Sequence, residues 1–381
     1  MLDRDVVQEQ LEDYDLNNAG IGAVASHSAL DAFDGAKEEG FPTLAVCQKG
    51  REQTYARYFR TQHHNGRHVK GCVDEAWVFD HFREILTEEN QRRLIDNDIV
   101  FIPNRSFTSY CSLDRIEDSF AVPMFGSRNL LRTEERSEEK DYYWLLEKEG
   151  MPFPEKIDAP EDIDELCIVK LHHAQKKLER GFFTCSSPDE YRQKAEQLLS
   201  QNVITREALD NARIERYVIG PVFNFDFFYS PLTDELELLG IDWRFETSLD
   251  GHVRLPAPQQ MSLPEKQRIP EYTVVGHNAA TLRESQLEKV FRLGEQYVAA
   301  TKKHYGYGVI GPFCLQTCPD KDLNFYIYDV APRIGGGTNV HMSWGHPYGN
   351  TLWRRQMSTG RRIALEIKMA IEGERLDEVV S

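Results

Sequence analysis

The sequence predicts a chain of mixed α/β and α+β class, with a parallel-sheet unit over residues 1–125 and an α+β unit over residues 126–381. Three observations carry this. Residues 19–48 read strand, helix, strand. Beyond residue 125 several strands follow one another without helices between them. A long helix and two strands then precede a last helix. The first pattern favours parallel strands covered by helices, and the second an antiparallel sheet.

In chain order, "AGIGAVAS" is a short apolar strand. "HSALDAFDGAKEEG" places Leu30, Phe33 and Ala36 at helical spacing and stops at Gly40, a C-cap glycine. "PTLAVCQKGR" and "NDIVFIPN" are further buried strands. "TEERSEEKDYYWLLEKEGMPFPEKI" predicts a charged helix stopped at Gly150. "LCIVKL" and "FFTCSS" predict a strand pair around the polar loop "HHAQKKLERG". "SPDEYRQKAEQLLSQ" predicts a helix with Ser187 as N-cap and Pro188 in the first position. "ARIERYVIG", "VFNFDFFYSP" and "ELELLGIDWRFET" predict successive strands, and "RESQLEKVFRLGEQYVAATKKH" a helix. "GPFCLQT" and "NFYIYDV" predict two more strands, and "LWRRQMSTGRRIALEIKMAIEG" one closing helix.

Hydrophobic residues make up 40% and charged residues 28% of 381 residues, an ordinary globular balance with room for two or three domains. The net charge of −17 and the lack of a long basic run argue against a nucleic-acid polymer as partner. A small anionic substrate stays open, because a local group of arginines and backbone N–H donors can hold one. Seven cysteines form no CxxC pair, and Cys47, Cys167, Cys185 and Cys314 sit in or beside apolar runs. Buried thiols in a reducing cytoplasm are expected. No signal peptide is expected from "MLDRDVVQEQLEDYDL", and no apolar run approaches the roughly 18 residues that cross a membrane.

Several residues could carry chemistry. Gln316 and Asp329 end neighbouring strands, and a hairpin would bring their hard oxygens together as a lean share of a Mg²⁺ shell, with Mn²⁺ an alternative; two solvent-facing strand residues are the plainer reading. Lys170 ends an apolar strand and could reach a nucleotide phosphate; an edge lysine in solvent is the plainer reading. His27 and Ser106 each follow a strand of the parallel unit, where ligands bind in such sheets. Glu215, Tyr217 and Glu246 lie at or near strand ends, where acids hold a ribose, a metal or only water. "YIYDVAPRIGGGTNVHM" sets Arg333 and a glycine triplet beside Thr338 and Asn339, a composition suited to close backbone approach to a phosphate. The sequence contains no nucleophile triad motif, no Cys/His zinc spacing and no Walker loop.

The segments "SHSALDAFDGAKEEGFPTL", "DSFAVPMFGSRNLLRTE", "FFYSPLTDELELLGID", "GPFCLQ" and "RIGGGTN", in this order, resemble the archaeal formate-dependent 5-formaminoimidazole-4-carboxamide ribonucleotide synthetases of purine (IMP) biosynthesis. These belong to the ATP-grasp superfamily. The resemblance runs from about residue 20 to 372. It implies an ATP-grasp fold behind an N-terminal Rossmann-like substrate-binding domain, with an ATP-binding subdomain over 126–225 and a Mg²⁺-binding and C-terminal subdomain over 226–381. It implies a cytoplasmic, homo-oligomeric ligase in which ATP phosphorylates formate and the amine of the aminoimidazole carboxamide ribonucleotide attacks the formyl phosphate. ADP and phosphate are released.

Carried over by position, His27 and Ser106 contact the ribonucleotide, Glu246 contacts ATP, and Gln316 and Asp329 bind the metal. Lys170, Arg180, Gly181, Glu215, Tyr217 and Val218 belong to the ATP pocket, with Lys170 a catalytic cation. By their chemistry Arg333, the other catalytic cation, and Gly336, Thr338 and Asn339 line the acceptor-phosphate side. The departures fall at these sites. The loop after Lys170 keeps only Gly181. The family's ribonucleotide-binding Asn falls on His277, with Asn278 beside it. The usual metal-ligand Glu is Asp329, and Ala331 stands where many ATP-grasp enzymes place an Asn ligand. A ligase using another carboxylate or amine, or a non-catalytic purine-nucleotide-binding paralogue, are the alternatives these changes leave open.

Overall fold

A computed structural model of the chain describes residues 2, 4–136, 138–171, 182–268 and 273–381. The first unit carries β1 (Gly20–Val24), β2 (Thr43–Gln48), a hairpin of β3 (Gln62–His64) and β4 (Arg67–Lys70), β5 (Glu75–Phe79) and β6 (Ile99–Ile102). Four of these form a parallel sheet in the order β5-β2-β1-β6, with Ile21 between Thr43 and Val100. β1 is buried along its whole length, as a strand covered on both faces must be. The helix Ala29–Glu39 connects β1 to β2 and ends at Gly40, whose φ of 96° only glycine adopts readily.

The second unit holds β7 (Lys156–Ile157), β8 (Cys167–Lys170), β9 (Phe182–Cys185) and β10 (Arg213–Arg216), an antiparallel sheet in the order β7-β10-β8-β9. The third holds β11 (Phe223–Ser230), β12 (Glu235–Glu246), β13 (Val274–Ala279), β14 (Gly311–Pro319) and β15 (Phe325–Ala331), ordered β13-β12-β11-β14-β15. Strand periodicity divides the third sheet into two faces. Phe225 and Phe227 pack in one core with Val290, Leu293 and Tyr297 of the helix Leu287–His304. Asn224 and Asp226, which alternate with them along β11, point to the opposite face.

The end of the chain returns to the first unit. The helix Thr359–Glu372 crosses the helix Ala29–Glu39 so closely that a Cβ at Gly35 would stand 2.1 Å from Arg361 N, and one at Gly360 2.0 Å from the Asp31 carbonyl. Both helices share one apolar core with β1 and β2. Gly126 N donates to Val379 O at 2.9 Å. The expected boundary near residue 125 is therefore spanned by the chain terminus, which completes the first unit.

Two expected helices differ. The charged stretch before Gly150 gives only the helix Tyr142–Lys148, capped by Asp141 through Trp144 N at 2.9 Å. Upstream, Glu134 and Glu135 are drawn into ion pairs with Arg333 and Arg105 rather than onto a solvated helix face. The closing helix is broken into Pro347–Trp353 and Thr359–Glu372, because Arg354 takes a left-handed φ of 54° and Ser358 starts a new helix by accepting from Arg361 N. The helices Arg4–Glu12 and Leu113–Ser119, the short helices between Leu249 and Arg268, and the β3–β4 hairpin have no counterpart in the sequence reading.

Candidate active site

The register of the third sheet lines four polar side chains across one face. Asp242 lies beside Asn224, Asn224 beside Gln316, and Gln316 beside Asp329. Residues paired across adjacent strands point the same way, so β12, β11, β14 and β15 each place one side chain in this row. Asn224 Nδ2 donates to Asp242 Oδ1 at 2.8 Å, and Arg244 Nη2 donates to Gln316 Oε1 at 2.7 Å. The hairpin thus brings Gln316 and Asp329 together. Asp329 is buried, and Lys170, Arg105, Arg136 and Arg244 lie close enough for their charges to attract its carboxylate.

Lys170 is buried rather than at an open edge, with a relative exposure of 6%. Its Nζ lies 2.5 Å from Glu215 Oε2 and donates to Tyr143 Oη at 2.6 Å and to the Tyr328 carbonyl at 3.3 Å. It therefore bridges the second and third sheets one residue before Asp329. Burial pushes its ammonium down to about 8, against the pull of Glu215. Burial alone would raise Glu215, but Lys170 and Arg213 outweigh it and hold the carboxyl below its ordinary range. Arg213 Nε lies 2.6 Å from Glu215 Oε1, and its guanidinium sits 3.9 Å from the Tyr143 ring centre. Tyr217 follows β10 and its N donates to the Leu166 carbonyl at 2.8 Å, while Cys318 Sγ lies 3.4 Å from the Val218 carbonyl. Glu246 ends β12 half-buried; burial raises its carboxyl, opposed by Arg244.

On the other side, the ends of β1 and β6 meet the glycine triplet. His27 and Ser28 take φ of 37° and 56°, a tight left-handed turn after β1. Ser28 Oγ donates to the Gly335 carbonyl at 2.7 Å, and Asp31 N donates to Asn339 Oδ1 at 3.2 Å. Asn104 locks the two strand ends: its Nδ2 donates to the Val24 and Ser26 carbonyls at 2.8 and 2.9 Å, and its Oδ1 accepts from Phe107 N at 3.1 Å. Ser106 is buried on the helix this cap starts.

The three glycines do different things. A Cβ at Gly337 would stand 2.4 Å from Asp242 Oδ2, and one at Gly335 2.9 Å from Asp226 Oδ1. Gly336 is exposed, with His27 Nδ1 the nearest atom to its notional Cβ at 3.6 Å. Thr338 is buried behind the loop and Asn339 is exposed.

Arg333, read as a catalytic cation lining the acceptor-phosphate side, is otherwise engaged. Its Nη2 and Nε face Glu134 at 2.6 and 3.2 Å, and its Nη1 donates to the Ile334 carbonyl at 2.8 Å. A buried bidentate pair of this kind fixes the start of the glycine loop. His277 pairs with Arg244 across β12 and β13 and shares the face of the polar row, whereas exposed Asn278 pairs with Trp243 and points to the other face. Arg180 and Gly181 lie outside the described residues.

Sequence reasoning passed over Asp226, Asp242 and Arg244. Their signal was polar residues at alternate positions of otherwise apolar strands. Burial, and then the neighbouring Asp242 carboxylate, push Asp226 well above the usual carboxylate range. His277 Nδ1 lies 2.6 Å from Asp242 Oδ1.

The family described as "Domain of unknown function (DUF1297)" matches residues 190–381, and "Protein of unknown function (DUF1246)" matches residues 21–157. Proteins named 5-formaminoimidazole-4-carboxamide-1-(beta)-D-ribofuranosyl 5'-monophosphate synthetase are 39% identical in Methanocaldococcus jannaschii and 41% identical in Methanopyrus kandleri, each over 100% of both chains. The crystal structure of an IMP biosynthesis protein PurP from Thermococcus kodakaraensis superposes with a TM-score of 0.70 at 30% identity, over 95% of this chain and 100% of that one. A biotin carboxylase from Campylobacter jejuni, at 11% identity, superposes with a TM-score of 0.56 over 95% of this chain and 71% of that one, a likeness of fold alone. The fold is ATP-grasp, and the chain belongs to the 5-formaminoimidazole-4-carboxamide ribonucleotide synthetase family.

Proposed function

We propose that the protein is an ATP- and formate-dependent ligase that converts 5-aminoimidazole-4-carboxamide ribonucleotide to its 5-formamido form in purine biosynthesis, through formyl phosphate. Full-length relatedness to the named synthetases supports the reaction. The observation that carries it to this chain is the meeting of Lys170 and Glu215 of one sheet with the Gln316–Asp329 pair of another, bridged at the Tyr328 carbonyl. Phosphoryl transfer asks for positioned charge more than for a nucleophile of the protein's own.

The second sheet and the third would hold ATP between them. Lys170 is the cation for its phosphates, Glu215 fixes Lys170, and the segment at Tyr217 and Val218, with Glu246, faces the nucleoside. Gln316 and Asp329 fit a magnesium ion: both offer hard oxygens on one face, one of them anionic. Among the described residues no three His, Cys, Asp or Glu side chains cluster as a metal site, so phosphate oxygens and water would complete the shell. When bound, the ion neutralises charge on the phosphates. The ribonucleotide would lie against His27, Ser106, the exposed Gly336 backbone and Asn339, with His277 at the third-sheet side. Arg333 acts as a positioning residue through Glu134. In this arrangement the unit over 1–125 binds the ribonucleotide, 126–225 the ATP and 226–381 the metal.

The test is phosphate release by purified protein given ATP, Mg²⁺, formate and the aminoimidazole carboxamide ribonucleotide, with each omitted in turn. Release that needs all four supports the reading. Nucleotide binding by calorimetry without turnover would establish a non-catalytic relative instead.

A further inference from the structure

We infer that His277, held by Asp242, is the general base that takes the proton from the acceptor amine as it attacks the acyl phosphate. This rests on the ligase reading above.

The geometry is that of a carboxylate orienting an imidazole. Asp242 is fully buried, accepts from Asn224 Nδ2 at 2.8 Å, and lies 2.6 Å from His277 Nδ1. A carboxylate that accepts from Nδ1–H fixes the neutral tautomer whose Nε2 carries the lone pair, and it favours the imidazolium formed on protonation. His277 keeps 18% of its side-chain exposure, and no hydrogen bond to its Nε2 exists among the described residues. The ring stands on the face that carries Gln316 and Asp329, and β13 packs against the segment Thr338–His341 that continues the glycine loop. Gly337 rests on the Asp242 carboxylate itself. The dyad is thus placed between the metal pair and the loop proposed for the acceptor.

The chemistry needs such a group. An amine on an aromatic ring delocalises its lone pair and attacks weakly, and its N–H becomes acidic as the C–N bond forms. In the step, the amine nitrogen bonds to the formyl carbon and the C–O bond to phosphorus breaks. The amine proton passes to His277 Nε2 and then to the departing phosphate. No oxidant or reductant is involved.

Other groups around the ring leave it this role. Arg244, opposite His277, is turned to Gln316 and the Tyr328 hydroxyl. His341, near the ring, is kept neutral by burial and by the neighbouring His346, which push it down to about 4.

The test uses His277→Asn and Asp242→Asn in the full chain, with ATP, Mg²⁺, formate and the ribonucleotide, across an acidic-to-alkaline pH series. ATP affinity by calorimetry checks that each variant is folded; should Asp242→Asn fail to fold, His277→Asn decides alone. We expect kcat of His277→Asn to fall about 100-fold or more, in line with general-base contributions, with KM for the ribonucleotide little changed and the acidic limb of the kcat profile gone. Asp242→Asn should lower kcat as well, with KM for the ribonucleotide little changed, because the imidazole loses the acceptor that fixes its tautomer. An unchanged kcat and limb in His277→Asn, or a raised KM with kcat intact, would overturn the inference alone. Wild-type protein without turnover would overturn the ligase reading and this inference with it.

Discussion

Lys170 and Glu215 lie 2.5 Å apart on neighbouring strands, both almost without solvent. Without Lys170, Glu215 keeps Arg213 at 2.6 Å as a cation partner, so its charge is only partly uncompensated. Lys170→Met should therefore cost about 1–3 kcal/mol of stability as well as abolishing turnover. Adding Glu215→Gln should restore only part of the stability, because Arg213 then loses its carboxylate, and none of the turnover. Urea unfolding and phosphate release on the single and double variants separate the two effects.

Ser28 joins two parts of the chain that meet only in the fold. Its hydroxyl donates to the Gly335 carbonyl, and as N-cap of its helix it makes no side-chain capping bond. Ser28→Ala should cost about 1–3 kcal/mol by leaving a buried carbonyl unsatisfied, and should raise KM for the ribonucleotide more than KM for ATP. Equal changes in both would show that the contact does not order the acceptor side.

The glycine loop gives a contrasting pair. Gly337→Ala drives a methyl group into the Asp242 carboxylate and should cost about 1–3 kcal/mol through overpacking. Gly336→Ala meets nothing closer than His27 Nδ1 at 3.6 Å and should fold normally. If Gly336 approaches the acceptor, this second variant should weaken ribonucleotide binding while melting like wild type. Calorimetry with the ribonucleotide and thermal melts decide both points.

Asp226 makes stability fall as pH rises. Its carboxyl is raised well above 3.8 in the folded state, by burial first and Asp242 second. The folded chain therefore holds a proton that the unfolded chain has released. The stabilisation is complete below the unfolded value and is lost toward alkaline pH, at about 1.4 kcal/mol per pH unit while the difference lasts. Asp226→Asn removes this dependence, so its melting temperature should change less than wild type between mildly acidic and mildly alkaline buffer. Identical slopes would contradict the assignment of the proton.

Local pattern made much of this legible. The apolar run before Ser26, the helix stopped by Gly40 and the parallel return are set by neighbours in sequence. So is the facing of Gln316 and Asp329, since a short hairpin leaves few registers. The engagement of Arg333 was hidden because its partner Glu134 lies 199 residues away. His277 and Asp242 come from strands separated by the segment of short helices, and only the cross-strand register shows that they share a face while Asn278 does not. Helical patterning also failed where tertiary ion pairs took Glu134 and Glu135, and where Arg354 turned left-handed.

In the proposed reaction formate is activated on this protein by ATP and then captured by the amine. Turnover with formate labelled with heavy oxygen follows both steps. The released inorganic phosphate should carry the label, because a formate oxygen bonds to phosphorus before the C–O bond breaks, and the nucleotide product should gain the formyl group. Formamido product accompanied by unlabelled phosphate would contradict the acyl-phosphate route.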